Sequence, residues 1–488
     1  MPGTKFYGSQ VGGKSVTPHS YTGSPLELLR HDIFSALGFY DLLFNIVFPI
    51  NPCGSGEFCE LYPSFANLWA MFLHLVLILM QLPFILSVPF WLLFPGWVVL
   101  LGILGFGVVN KAVCFLLNGS RLRFRSNPKY AGLKKEHEHE QWIFLNGVAV
   151  GKHWMQNNID RLALTFGRPV LGVHNKTTGI IFDVLQCLVQ RNFNYATMDI
   201  RDCYKIVKAT LYDVKLTKVI FIMHSQGGIE GGMILDWLLQ EVPQDLLAKL
   251  EIYTFGNAAN HFNNPHLHML SQNAALKNPR TATLTKTKTH ISSHPDLPAN
   301  GNGNGNGEVQ QAGTVRDRET EHTSTPQGKT IHHIEHYAHT HDPVSRWGVL
   351  HFITSPASSS TAPRFMGRVF ERQGVGHQFC LHYLDSMFPL RRCESGVGVG
   401  GSGFDGAHDE CDFMDEDVEW WGRAGLESME SSSLSASGSF SGEASEVGLM
   451  DMSPVSTSST LNALKGGFEN GRGFTDRGRR GRSLKLGS

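Results

Sequence analysis

The chain has 488 residues and 42% of them are hydrophobic, which is enough to bury a sizeable core. Its 42 lysine and arginine residues are balanced by 43 aspartate and glutamate residues, so the formal net charge is -1. Because nucleic-acid binding depends on positive charge that neutralises phosphates, this balance argues against a nucleic-acid partner.

An uncharged stretch runs from residue 61 to residue 110, where no Asp, Glu, Lys or Arg occurs. As one straight helix it would be about 75 Å long, against a bilayer hydrocarbon core of about 30 Å. It should therefore enter the membrane twice, with Pro95 and Gly96 as the turn. We predict a hydrophobic hairpin over residues 61–118 that either spans the bilayer or stays within one leaflet.

Basic side chains lie at the C-terminal end of the hairpin and just after it, at Lys111, Arg121, Arg123 and Arg125. Positive charge beside a membrane segment marks its cytoplasmic side. The pattern therefore indicates an integral or monotopic membrane protein whose main domain faces the cytosol. The preceding region, residues 1–60, is partly polar and partly amphipathic, and its segment 33–50 could be an interfacial helix or a packing helix.

Between residues 142 and 390, short apolar runs alternate with helical periods, a pattern typical of a mostly parallel sheet covered by helices. The predicted strands are residues 142–145, 169–173, 218–223, 250–255 and 331–339. The predicted helices are residues 180–190, 199–212 and 229–240. We therefore predict an α/β domain over residues 142–390, with a disordered insertion at 271–329 and a disordered low-complexity tail at 393–488.

The strongest local motif is an apolar run, starting at Lys218, that leads into His224, Ser225, Gln226 and Gly227 and then into a helical pattern. It resembles the nucleophile elbow of the α/β-hydrolase superfamily, in which a serine lies on a sharp turn between a strand and a helix. The turn needs small neighbours two residues away from the serine. Gly227 meets this demand, whereas Met223 replaces the usual first glycine.

The resemblance implies that an acid and then a histidine follow the serine along the chain. Asp342 lies just after the last predicted strand, where this superfamily has its acid, and His377 lies in a glycine-flanked loop that enters a helix. His382, inside that helix, is better explained as a structural residue. Three other aspartates are better explained as solvated or helix-capping residues: Asp183, Asp199 and Asp236.

The resemblance also implies two backbone N–H groups that bind the oxyanion. Gln226, which follows the serine, should supply one. The other should come from Val148, in a loop that is similar to the His-Gly loop of lipase-like enzymes but has Asn146 in place of histidine.

Taken together, these motifs resemble the lipase-like serine esterases of the α/β-hydrolase superfamily, of a fungal type with an N-terminal membrane segment. The resemblance implies an α/β-hydrolase fold and a membrane-anchored serine hydrolase that cleaves an ester or thioester of a lipid or acylated substrate, without a cofactor. The alternative is an inactive hydrolase fold that tethers partners to a membrane, which the replacements at Met223 and Asn146 keep open. Histidines between 332 and 341 are dense, but strand alternation would send them to opposite faces, so we predict no metal site.

Overall fold

The computed structural model describes residues 3–7, 24–267, 329–354, 365–408, 411, 413, 417–421 and 455–456. It is a mixed α/β structure built on a mostly parallel sheet, which confirms the predicted class. The strands are β1 Thr4–Tyr7, β2 Arg123–Arg125, β3 Glu140–Leu145, β4 Val170–Val173, β5 Lys218–His224, β6 Leu250–Phe255, β7 His333–His339, β8 Arg368–Arg372, β9 Leu390–Arg392, β10 Phe404–Ala407, β11 Asp417–Trp421 and β12 Val455–Ser456.

Ten of these strands form one sheet in the order β12-β11-β1-β8-β7-β6-β5-β3-β4-β2. The six strands from β8 to β4 are all parallel to one another. The sequence pattern predicts five of these six but not β8, whose sequence carries three charged residues. It also does not predict the edge strand β2, or β1 from the N-terminal region, which lies between β11 and β8.

Helices cover both faces of the sheet. They are α1 Pro25–Leu37, α2 Phe65–Ser87, α3 Gly96–Asn118, α4 Lys152–Phe166, α5 Ile180–Phe193, α6 Met198–Leu211, α7 Gln226–Glu241, α8 Gln244–Leu247, α9 Pro343–Trp347 and α10 Val349–Thr354, and the π-helix Phe379–Leu384 is followed by α11 Asp385–Met387. Successive residues of β5 enter two separate cores, Phe221 with α6 and α7, and Ile222 with α4 and the π-helix. This alternation makes a three-layer structure, with β5 buried on both faces.

Two helices of the predicted hairpin are long and apolar enough to cross a membrane, by length and composition alone. They are Phe65–Leu93, which includes a short 3-10 segment, and Gly96–Asn118. Polar side chains of α2 point toward the domain: Asn67 Oδ1 accepts a hydrogen bond from Trp154 Nε1 (2.9 Å), and Gln81 Nε2 donates to the Thr178 carbonyl (2.7 Å). The hairpin is therefore packed against the α/β domain along much of α2.

The predicted insertion at 271–329 lies outside the described residues except for Lys329, which is buried and donates to the Asn264 carbonyl (3.1 Å). Residues 393–408 of the predicted tail are ordered instead, because β10 pairs with β9 and Phe404 is buried. The boundary at 393 is therefore corrected to beyond residue 408. The rest of the tail lies outside the described residues, apart from Cys411, Phe413, β11 and β12.

Helix α1 is attached to α5 by a buried ion pair. Asp32 Oδ1 lies 2.8 Å from Arg191 Nη2, and Asp32 Oδ2 accepts a hydrogen bond from Asn192 (2.7 Å). Both charged groups are out of solvent, so removing one leaves the other unpaired in a medium of low dielectric constant.

We expect Asp32→Ala to lower the free energy of unfolding by about 3 kcal/mol or more, since the buried Arg191 charge would lose its partner. The control is Glu27→Ala, which removes an exposed carboxylate from the same helix and should change stability by less than about 0.5 kcal/mol. Denaturant unfolding of the detergent-solubilised chain measures both. Equal effects would show that the ion pair does not hold α1.

Candidate active site

Ser225 lies between the end of β5 and the start of α7 in a backbone conformation that serine rarely adopts, with φ 57° and ψ -121°. Its N–H donates to the Phe255 carbonyl (3.0 Å), and its own carbonyl accepts from Gly228 N–H (2.9 Å). Strained residues of this kind cluster at functional sites, because the surrounding structure must hold them in place. The turn predicted from the sequence is therefore present, with Ser225 at its apex.

The turn requires glycine at two positions that lie close to it in space. A Cβ atom at Gly227 would lie 2.7 Å from the Leu145 carbonyl oxygen, and one at Gly147 would lie 2.5 Å from Ser225 Cβ. Neither contact is possible without moving backbone. Gly227 thus has the small size predicted for it, and Gly147 brings the loop after β3 directly against the serine.

Met223 occupies the position where glycine was expected, and it is fully buried. A Cβ atom at Gly231, two turns along α7 from the elbow, would overlap the Met223 sulfur. The missing side chain at Gly231 therefore makes room for the extra bulk at Met223. A large residue at position 223 is thus paired with a small residue at position 231, which explains how the turn forms without the usual first glycine.

Ser225, His377 and Asp342 form a continuous hydrogen-bonded chain. His377 Nε2 lies 2.9 Å from Ser225 Oγ, and His377 Nδ1 lies 2.9 Å from Asp342 Oδ2. All three side chains are buried. The fold brings together three residues that are as much as 152 positions apart, in the geometry that lets a histidine take a proton from a serine hydroxyl.

Asp342 is held by several donors besides His377. Tyr383 Oη (2.6 Å) and Ser345 Oγ (2.8 Å) donate to Oδ2, and Val344 N–H (2.8 Å) donates to Oδ1. Burial alone would raise the pKa of Asp342, but the interaction with His377 and these hydrogen bonds outweigh it and lower the pKa to about 2. The carboxylate is therefore charged at neutral pH and can stabilise a protonated His377.

His224 supports the loop that carries His377. Its Nε2 donates to the His377 carbonyl (2.8 Å), and burial together with the nearby His377 lowers the pKa of His224 to about 3. His224 is therefore neutral, and it positions the loop. His382 has a structural role, since Nδ1 accepts from Gln378 N–H (2.9 Å) and Nε2 donates to the Pro49 carbonyl (2.7 Å).

The two N–H groups predicted to bind an oxyanion belong to segments that adjoin Ser225. Gln226 is the first residue of α7, and Val148 follows Gly147 in the loop after β3. Among the residues that the structure describes, neither N–H has a hydrogen-bond acceptor. Free N–H groups at a helix start attract negative charge. We therefore expect negative charge to be favoured beside Ser225.

A buried chain of amide side chains connects these two segments. Asn146 Oδ1 accepts from Asn175 N–H (2.9 Å), Asn175 Nδ2 donates to Gln226 Oε1 (2.9 Å), and Gln226 Nε2 donates to Gln190 Oε1 (2.8 Å). Asn146 thus replaces the expected histidine as part of a network. Sequence analysis missed Asn175 and Gln190, because their partners are distant along the chain.

Asp183 also belongs to this support, which corrects its interpretation as a solvated or capping residue. It is buried, and Oδ2 accepts from Thr177 Oγ1 (2.5 Å) and from Ala149 N–H (3.0 Å). Ala149 has a positive φ of 61° in the loop after β3. Asp183 therefore fixes the shape of the loop that contains Val148.

The histidines of β7 are engaged with other protein groups. His336 contacts Thr254 Oγ1 (2.7 Å) and the Met366 carbonyl (2.9 Å), and His339 contacts the Gly376 carbonyl (3.1 Å) and Ser386 Oγ (2.9 Å). Within the described part of the chain, no three His, Cys, Asp or Glu residues are arranged to hold a metal ion.

Comparison with protein-family models, with curated proteins and with solved structures gives no match to this chain.

The size exchange between Met223 and Gly231 can be tested by a double-mutant cycle. Gly231→Ala alone should destabilise the protein by about 1–3 kcal/mol, because the new methyl group overlaps the Met223 sulfur. In a Met223→Ala background the same change should cost much less. Unfolding in denaturant gives the four free energies. Additive effects in the double variant would contradict the proposed packing.

Proposed function

We propose that this protein is a membrane-anchored serine hydrolase of the lipase-like, α/β-hydrolase type. The observation that carries the proposal is the hydrogen-bonded chain from Ser225 Oγ through the His377 ring to Asp342, with 2.9 Å at each step. The left-handed backbone at Ser225 and the free N–H groups beside it support the same reaction.

In the proposed reaction, Ser225 Oγ attacks the carbonyl carbon of an ester or thioester while its proton passes to His377 Nε2. The negative charge that develops on the carbonyl oxygen is stabilised by the N–H groups of Val148 and Gln226. When the intermediate collapses, His377 gives the proton to the departing alcohol or thiol. A water molecule then cleaves the acyl-serine bond, with His377 again accepting and returning a proton.

The substrate class follows from the hairpin. Helices α2 and α3 are long and apolar enough to enter a membrane, and α2 packs against the domain that carries Ser225. An enzyme held at a bilayer meets lipids and acylated proteins more often than soluble esters. We therefore propose a lipid or acylated substrate, with the domain on the cytosolic side, as the basic residues that follow the hairpin favour.

An inactive tethering module is the alternative, and the structure offers it little support. The two departures that favoured it, Met223 and Asn146, both have structural counterparts, in Gly231 and in Asn175. Neither replacement disturbs the distances among the serine, the histidine and the aspartate.

We expect a fluorophosphonate probe to label the membrane-bound protein, and labelling to disappear in Ser225→Ala and in His377→Ala, because phosphonylation needs an activated serine. His341→Ala is the matched control, since this exposed histidine belongs to the same group of loops.

Asp342→Asn should retain the fold and lower kcat by on the order of 10³ to 10⁴-fold, since it would orient His377 wrongly.

Labelling that persists in Ser225→Ala would assign the nucleophile to another residue. A folded wild-type protein that neither takes up the probe nor hydrolyses esters would favour the tethering module.

A further inference from the structure

Helix α5 is packed with its polar side inward and its apolar side outward. Within Ile180–Phe193, four residues are exposed and all are apolar, with 42% to 50% of each accessible: Val184, Leu185, Val189 and Phe193. The buried residues of the same helix are mostly polar: Asp183, Cys187, Gln190, Arg191 and Asn192. This is the reverse of the pattern expected for a helix on a water-exposed surface.

The polar side chains of α5 form hydrogen bonds and an ion pair with buried groups of the protein. Arg191 Nη1 donates to the Ala258 carbonyl (2.8 Å) and Nη2 pairs with Asp32, while Asp183 holds the loop at Ala149. Turning the helix to hide its apolar side would break all of these bonds and leave buried polar groups unpaired. The outward position of the apolar residues is therefore fixed by the fold.

The neighbouring helix α2 also turns its polar residues inward. Asn67, His74 and Gln81 are buried, together with Ala70, Leu73 and Leu77, whereas Leu68, Phe72 and Leu79 are exposed. Gln81 connects α2 to α5, because it donates to the Thr178 carbonyl just before α5. Helix α3 contacts α5 as well, since Phe106 packs against Phe182 at 5.9 Å between ring centroids.

The level of the membrane follows from this packing. The exposed leucine and phenylalanine residues of α2 lie on the same stretch of helix as Asn67 and Gln81, which contact the domain. Beyond Gln81, only about 20 Å of helix remains before the turn, less than the roughly 30 Å of a hydrocarbon core. If lipid surrounds the outer side of α2, it therefore also reaches the adjacent α5.

We propose that α5 is a lipid-contacting element of the catalytic domain itself, with Val184, Leu185, Val189 and Phe193 against the acyl chains of the membrane. The proposal rests on the membrane anchoring proposed above and goes beyond it, since the domain lies in the membrane surface instead of being tethered above it. Helix α1, which is packed on α5, also exposes leucines and a phenylalanine: Leu26, Phe34 and Leu37.

This position links the lipid to the chemistry of the site. Asp183, in the first turn of α5, binds Ala149 in the loop that carries Val148, and Gln190, in its last turn, binds Gln226 after the serine. One side of α5 thus contacts lipid while the other holds both oxyanion segments. The proposed substrate therefore becomes more specific: it is an acyl ester that is cleaved while its acyl chain remains in the bilayer.

The test uses the full chain in phosphatidylcholine vesicles that contain lipids with nitroxide-labelled acyl chains. An environment-sensitive NBD fluorophore is attached at Val189→Cys, after the partly exposed native thiols Cys53 and Cys393 are changed to serine. Two matched positions serve as references: Leu104→Cys on α3, expected in lipid, and Lys205→Cys on α6, expected in water. We expect quenching at Val189 within about twofold of that at Leu104, and little quenching at Lys205.

The outcomes separate this proposal from the proposed function. Quenching at Leu104 with none at Val189 would overturn the α5 proposal and leave the membrane anchor in place. A blue-shifted but unquenched probe at Val189 would also overturn it, because another protein surface or a second copy would then cover α5. Absence of quenching at Leu104 would reject the membrane anchor together with the α5 proposal, while fluorophosphonate labelling of the same sample still reports on the serine.

A functional measurement completes the test. The pair Leu185→Gln and Val189→Gln makes the outer side of α5 polar without touching the site. We expect at least tenfold slower hydrolysis of an ester embedded in the vesicles and unchanged hydrolysis of a soluble short-chain ester. Equal rates on the embedded ester would contradict a role for α5 in reaching lipid, and equal losses on both esters would indicate that the site itself was damaged.

Discussion

The left-handed backbone of Ser225 is the constraint on which the rest of the site depends. A serine in this conformation costs on the order of 1–3 kcal/mol, so it must be held by its surroundings. Hydrogen bonds from both of its backbone groups hold it, and glycines at 147 and 227 let the loop after β3 and the start of α7 approach it closely. The same closeness brings the segments that contain Val148 and Gln226 next to the serine, whose Oγ also lies 2.9 Å from His377 Nε2. A side chain at either glycine would therefore disturb both Ser225 and the two segments beside it.

A second constraint is the reversed polarity of α2 and α5. Ordinarily a protein gains stability by burying apolar side chains, at about 25 cal/mol per Å² removed from water. On the buried sides of these helices, amides, an aspartate and an arginine make specific bonds, and in α2 they lie among buried leucines. Such an arrangement is stable where the outside is apolar as well, because the exposed leucine, valine and phenylalanine residues then lose nothing by facing outward. The polar networks inside hold the loop after β3 through Asp183 and Ala149, so in the proposed function the inner side of α5 supports the site while its outer side faces lipid.

Much of the fold and of the site could be predicted from the sequence, because the decisive signals are local. An apolar strand followed by Ser225 and Gly227, an aspartate after a strand, and a histidine just after two glycines each stand out within ten residues. The features that were missed are long-range. Strand β8 is rich in charge, and it is a strand because β1 and β7 flank it on both edges. The roles of Asp183 and Asn175 depend on partners from other elements, and Asp183 has the helical spacing of an ordinary capping residue.

The N-terminal region is joined to the site as well as to the apolar hairpin. Glu60, five residues before α2, is buried, and its two carboxyl oxygens accept hydrogen bonds from the N–H groups of Cys380 (2.9 Å) and Leu381 (3.1 Å). These N–H groups belong to the first turn of the helix that follows His377, where a carboxylate is favoured by the free backbone donors. Burial raises the pKa of Glu60 above its usual value against the effect of these bonds. The start of the hairpin therefore caps the helix that fixes the histidine. A chain cut before α2 would lose this cap along with Asp32, so the N-terminal region and the domain that contains Ser225 form one folding unit.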